Sequence, residues 1–112
     1  MHAAATRAEQ TDWRQIVGLY DHLLQVEPSP VVALNRAVAV AMAHGPEAGL
    51  ALIVELEDDF SRYHLLHATR GELLRRAGKL APARAAFEKA LMLCDNDAEK
   101  RLLAKKLAAV SD

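Results

Sequence analysis

Apolar positions recur at spacings of three and four along most of the chain, the pattern of helices that bury one face. In "TDWRQIVGLYDHLLQV" Trp13, Ile16, Val17, Tyr20, Leu23 and Leu24 keep that spacing behind a cap at Thr11 or Asp12. "EPSP" ends the helix, because Pro28 and Pro30 bias Glu27 and Ser29 away from helical dihedrals. Pro30 suits the first turn of the next helix, where its missing N–H costs nothing. That helix, "VVALNRAVAVAMA", is apolar all round except for Asn35 and Arg36, and "HGP" stops it at Gly45. Pro46 opens "PEAGLALIVELED", with Leu50, Ile53, Val54 and Leu56 on one face. Ser61 can cap "SRYHLLHATRGELLRRAG", which closes on Arg75, Arg76 and Gly78, as suits a helix C-terminus. Pro82 lies in the first turn of "KLAPARAAFEKALMLC", and Asn96 with Glu99 fits a capping box for "AEKRLLAKKLAAV". Six helices joined by short turns predict an all-α fold of antiparallel hairpins, and no segment reads as a strand.

The hairpins repeat. A shift of 34 residues lays Asn35-Arg36-Ala37 on Thr69-Arg70-Gly71 and Val40 on Leu74. It also lays Gly49, Ile53 and Leu56 on Ala83, Phe87 and Ala90. Small residues let paired helices approach, a large residue fills the gap between them, and glycine ends the first helix. Gly71, Leu74, Gly78, Ala83, Phe87 and Ala90 fit the tetratricopeptide pattern. The expected architecture is a tetratricopeptide-like right-handed solenoid. A half repeat over 11–28, with Tyr20 as its large residue, precedes repeats over 30–60 and 61–95 and a capping helix over 96–110. Residues 1–10 are expected to be a truncated, flexible segment, the chain starting in mid-repeat as part of a longer protein.

Composition narrows the function. The 112 residues are 52% apolar, rich in Ala and Leu and poor in aromatics, which allows one helical domain. The apolar runs break before the ~18 residues of a membrane span, and "MHAAATRAEQTDW" has no basic head followed by an apolar segment. The single cysteine, Cys94, cannot form an internal disulfide, so a reducing cytoplasm is the simplest compartment. The net charge of −1 divides into −5 over residues 1–69 and +4 over 70–112. A basic half of that size, interleaved with acids and poor in aromatics, is a weak nucleic-acid footprint.

No phosphate loop, nucleophile motif or paired catalytic acids emerge, so neither an enzyme nor a cofactor is expected. His64 and His67 share a helix face, but no Cys, Asp or Glu stands at an offset that would complete a tetrahedral metal site. Cys94 reads as a small core residue. Arg36 in an apolar helix calls for a carboxylate, either Asp21 or Asp12, and its repetition at Arg70 favours a brace between helices. First helices of such units line the concave groove. By that rule Leu65, Ala68, Glu72, Arg75 and Arg76 line it in one unit, and Val31, Leu34, Val38, Ala41 and Met42 in the other. So apolar a face on the helix over 30–44 calls for a cover, either upstream helices or a second copy of the chain.

The phrases "TDWRQIVGLYDHLL", "PSPVVALNRAVAVA", "GPEAGLALI", "YHLLHATRGELLRRAG" and "ARAAFEKAL" resemble one family in particular. They are similar to the C-terminal tetratricopeptide-like extension of bacterial extracytoplasmic-function RNA polymerase sigma factors. The resemblance runs over about residues 11–109. It implies upstream regions, absent from this chain, that bind core polymerase and promoter DNA, with regulation or partner binding left to the extension. DNA binding by the extension itself is not implied. Trp13, Tyr20, Asn35, Arg36, Tyr63, His64, His67 and Arg70 are the expected architectural or contact residues. Two alternatives remain: a ligand-sensing domain with a pocket at Val38, Met42 and His67, or a plain dimerisation module.

Overall fold

The computed structural model of the chain describes residues 12–110. They form six helices: α1 Trp13–Val26, α2 Pro30–His44, α3 Pro46–Phe60, α4 His64–Arg76, α5 Leu80–Leu93 and α6 Asp97–Val110. There is no strand among the described residues. None of their helices is long and apolar enough to cross a membrane.

Local chemistry sets most of the boundaries. Asp12 caps α1, its Oδ1 accepting from the Gln15 N–H at 3.1 Å; Thr11, the other candidate, lies outside the described residues. Ser29 caps α2 through the Val32 N–H, with Pro30 in the first turn. Gly45, at φ 106°, closes α2 and opens α3, a backbone conformation that an L-residue rarely takes. Helix α4 ends in a Schellman motif: the Lys79 N–H reaches the Leu74 carbonyl, the Gly78 N–H reaches Arg75, and Gly78 takes φ 80°.

Two expected caps differ. Ser61 does not cap α4 with its side chain; it closes α3, and Tyr63 stands at the start of α4. The Ser61 carbonyl instead accepts from His67 Nε2 at 2.6 Å, so the imidazole satisfies the turn. At α6, Asn96 Oδ1 accepts from the Glu99 N–H at 2.9 Å, but the Glu99 carboxylate turns away to His64. Only half of the capping box forms.

Consecutive helices pack against each other, and α2 also packs against α4. Two apolar clusters result. The first gathers Leu34, Ala37, Ala41, Ile53, Leu66 and Leu73. The second gathers Ala83, Phe87, Ala90, Cys94, Leu103 and Val110. Helix α4 feeds both, through Leu66 and Leu73 on one side and Ala68 and Leu74 on the other.

Close approach within each unit demands small residues. A Cβ on Gly49 would stand 2.7 Å from the Ala37 carbonyl oxygen and 2.8 Å from the Ala41 Cβ. A Cβ on Gly71 would stand 2.8 Å from the Phe87 ring. The repeat-equivalent positions compensate in volume: Ala37 shares its cluster with Ile53, whereas the larger Phe87 faces a glycine.

The large-residue positions expose an asymmetry. Ile53 and Phe87, one period apart, are 0% exposed, but Leu19, one period earlier, is 60% exposed. It lies in an exposed row on α1 with Leu23 and Val26, and α1 has no fully buried residue. Tyr20, expected to be the large residue there, is half-buried one position on.

Helix α2, by contrast, is not the bare apolar surface that its sequence suggests. Leu34, Ala37, Ala39 and Ala41 are buried against neighbouring helices. The large exposed apolar side chains of the helix over 30–44 are Val31 and Met42.

Gly71→Ala is expected to destabilise the fold by about 1–3 kcal/mol, because the buried Phe87 ring has to move. Adding Phe87→Ile, the Ala37–Ile53 combination of the first unit, should recover part of the loss. Urea denaturation of the single and double variants checks both.

Candidate functional site

The helices that come first in their hairpins, α2 and α4, together with α6 leave a groove between them. Its lining is Val38 from α2; His64, Leu65, Ala68, Thr69 and Glu72 from α4; and Glu99, Leu102, Leu103 and Lys106 from α6. The groove holds about 240 Å³. Its floor is apolar and its ends are charged.

At one end Glu72 collects three cations. Arg75 Nη2 lies 2.5 Å from its carboxylate, Arg76 Nε 3.4 Å and Lys106 Nζ 3.9 Å. The Arg75 hydrogen bond holds the Glu72 carboxyl below its ordinary pKa, with the charges of Arg75, Lys106 and Arg76 acting the same way against partial burial. Arg76 also brings Nη1 to 2.7 Å from Met42 Sδ on α2. At the other end His64 Nε2 meets Glu99 Oε1 at 2.7 Å, and the Tyr63 ring stands edge-on to the imidazole with centroids 5.8 Å apart. Buried Cys94 lies beside this pair.

The structure divides the residues expected in the groove between the groove and the core. Val38, Leu65, Ala68 and Glu72 line the groove, with Arg75 and Arg76 at its rim through Glu72. Leu34 and Ala41 do not line it; they are buried in the first cluster, because α2 is covered by α1, α3 and α4. The whole α6 contribution was missed. A signal for it lay in the repeat itself, since the period of 34 carries Leu65, Ala68, Thr69 and Glu72 onto Glu99, Leu102, Leu103 and Lys106. Helix α6 thus occupies the first-helix place of a further unit.

His67 does not share the groove with His64. It is 3% exposed and faces a second hollow, of about 340 Å³, with Glu57, Arg70, Leu74 and Lys89. A carbonyl can only accept, so His67 Nε2 carries the proton toward Ser61, and the buried Nδ1 has no partner. The pocket proposed at Val38, Met42 and His67 therefore does not form as one space.

Arg36 and Arg70 each face a carboxylate on the helix before their own. Arg36 Nε on α2 bonds Asp21 on α1, whereas Asp12 serves as a cap. Arg70 on α4 brings Nη2 to 2.5 Å from Glu57 Oε1 on α3. The Arg70 nitrogen lies off the hydrogen-bond direction, so that contact is one of charge. Each arginine ties a first helix to the helix before it. Arg36 is not fully buried, its side chain being 30% exposed, and Asn35 is exposed on the solvent face. Trp13 and Tyr20 are half-buried on α1.

No family model and no solved structure matches the chain. A curated relative, an uncharacterized protein of Rhizobium meliloti (strain 1021), is 46% identical over 107 residues. That match takes in 96% of this chain and 25% of the relative, so the chain spans about a quarter of the relative's length.

The Arg36–Asp21 pair, part exposed, should couple by about 0.2–1 kcal/mol in a double-mutant cycle of Arg36→Met and Asp21→Asn. Strictly additive losses would count against the brace. Glu72 has a lowered folded-state pKa, so its contribution is present above the ordinary glutamate value of about 4.3 and is lost as pH falls through the lowered one. Glu72→Gln should therefore be less stable than the parent at neutral pH, with the difference closing in acid. Chemical denaturation over a pH series reads this directly.

Proposed function

We propose that this chain is a regulatory, protein-interaction domain of a bacterial extracytoplasmic-function sigma factor, acting in the cytoplasm by packing against the sigma regions or a protein partner. The observation that carries the docking part is the register of Leu19. In both complete units the equivalent position is sealed between paired helices, and on α1 it stands open in a row with Leu23 and Val26. That row has the spacing at which one helix receives another. The sigma-factor part rests on the likeness of the five phrases named above. It is supported by the relative from Rhizobium meliloti, in which a similar sequence makes up only a quarter of a longer chain. Packing of this kind controls initiation by favouring one arrangement of the sigma regions over another, and the domain itself needs no contact with DNA.

A second reading draws on the groove. An apolar floor with charged ends suits a small amphipathic molecule, whose binding would change how the domain packs. On that reading the docking row on α1 remains the output and the groove becomes the input.

The test compares promoter-specific transcription by the full sigma factor, a form truncated before Thr11, and full-length Leu19→Asp. The truncation should alter activity or its response to inducing conditions. Leu19→Asp should reproduce that change while the domain keeps its helicity and melting temperature. Transcription unchanged in both variants sinks the proposal.

A further inference from the structure

We propose that His64, Cys94 and Glu99 form a binding site for a zinc-class divalent cation at one end of the groove, with an open coordination position facing the groove. This goes beyond the regulatory reading and does not depend on it. One ligand atom from each residue, an imidazole nitrogen, the thiol sulfur and a carboxylate oxygen, lies within 4.8 Å of the other two. Three points so spaced all lie within about 2.8 Å of a common centre, against bond lengths of about 2.0–2.3 Å for zinc with these donors. The remaining half ångström is within reach of small side-chain rotations.

The placement is specific in its details. The three donors come from different segments: the first residue of α4, the end of α5 and the first turn of α6. Glu99 stands where a capping glutamate would turn back to the Asn96 N–H, yet its carboxylate is directed to His64 Nε2 at 2.7 Å. A proton between that nitrogen and oxygen holds the place that a cation would take. Cys94 is 2% exposed, and its sulfur sits 3.5 Å from the Asn96 carbonyl oxygen. Thiolate with imidazole selects zinc over magnesium or calcium, and one carboxylate is compatible with it. Three protein donors leave a tetrahedral ion one free position. His64 and Glu99 both line the groove, so that position is open to water or to a donor atom of a molecule lying against Ala68, Leu102 and Leu103. The bound ion would also fasten α6 to α4.

Cobalt(II) titration of the full chain under reducing conditions is the test. One equivalent should bind, giving visible tetrahedral bands and a near-ultraviolet sulfur-to-cobalt charge-transfer band, and zinc should displace it. Cys94→Ser should remove the charge-transfer band. His64→Gln and Glu99→Gln should each weaken binding by at least about tenfold, no less than losing a supporting residue around a metal does. His22→Gln, on an exposed histidine of α1, should change nothing. If Cys94→Ser fails to fold, as judged by circular dichroism, Glu99→Gln decides, since Glu99 is partly exposed and its capping N–H is untouched. The proposal is overturned if the parent chain shows no charge-transfer band. Affinity unchanged in Glu99→Gln, or lost in His22→Gln, overturns it equally.

Discussion

Helices in this fold approach so closely at two glycines that one extra methyl group would force a neighbour to shift. Gly49 lies against the Ala37 carbonyl and Gly71 against the Phe87 ring. Everything else is arranged around those two approaches. They set the spacing within each hairpin, and that spacing decides which side chains reach the clusters. The units solve the same problem with different volumes: Ala37 with Ile53, and Gly71 with Phe87. Such pairs are matched, so a helix from one unit is a poor substitute in the other. The Arg36–Asp21 and Arg70–Glu57 contacts then act on the other interface of each first helix, where it meets the helix before it.

The groove follows from the same periodicity. Its lining repeats at intervals of 34 residues, so Val38, Glu72 and Lys106 stand in one series and Leu65 and Glu99 in another. Because the side chains differ at each turn of the series, the floor stays apolar while charge gathers at the ends. At one end the Glu72 carboxylate is neutralised by three surrounding cations. His64, Glu99 and Cys94 make the other end chemically open.

Much of this was legible in the chain. Asp12, Ser29, Gly45, Gly78 and Asn96 act through contacts with residues a few places away, and short-range chemistry of that kind is written locally. Gly71 and Phe87 were legible because the repeat fixes their separation. The choice of Asp21 over Asp12 needed coordinates, since both were reachable. Leu34 and Ala41 were misplaced for a definite reason. Periodicity identifies the rows of a helix, but not how many neighbours cover them, and α2 has three. The Glu99 half of the capping box failed because a long-range partner, His64, takes the carboxylate, and Ser61 closes α3 instead, its carbonyl accepting from His67 six residues on. The cluster of His64, Cys94 and Glu99 escaped because His64 stands 30 and 35 positions before the other two. A search for ligands at helical offsets does not reach that far.

Helix α4 belongs to both apolar clusters. In a stack where each element leans mainly on its neighbours, stability propagates like a row of coupled switches. A helix shared by two clusters is the strongest coupling in that row. Among the described residues α1 and α6 stand at the two ends of the stack, so opening within them should begin there and reach α4 last. Amide hydrogens of α4 are thus the ones whose exchange reports the global unfolding of the chain, while those of α1 report only its own detachment.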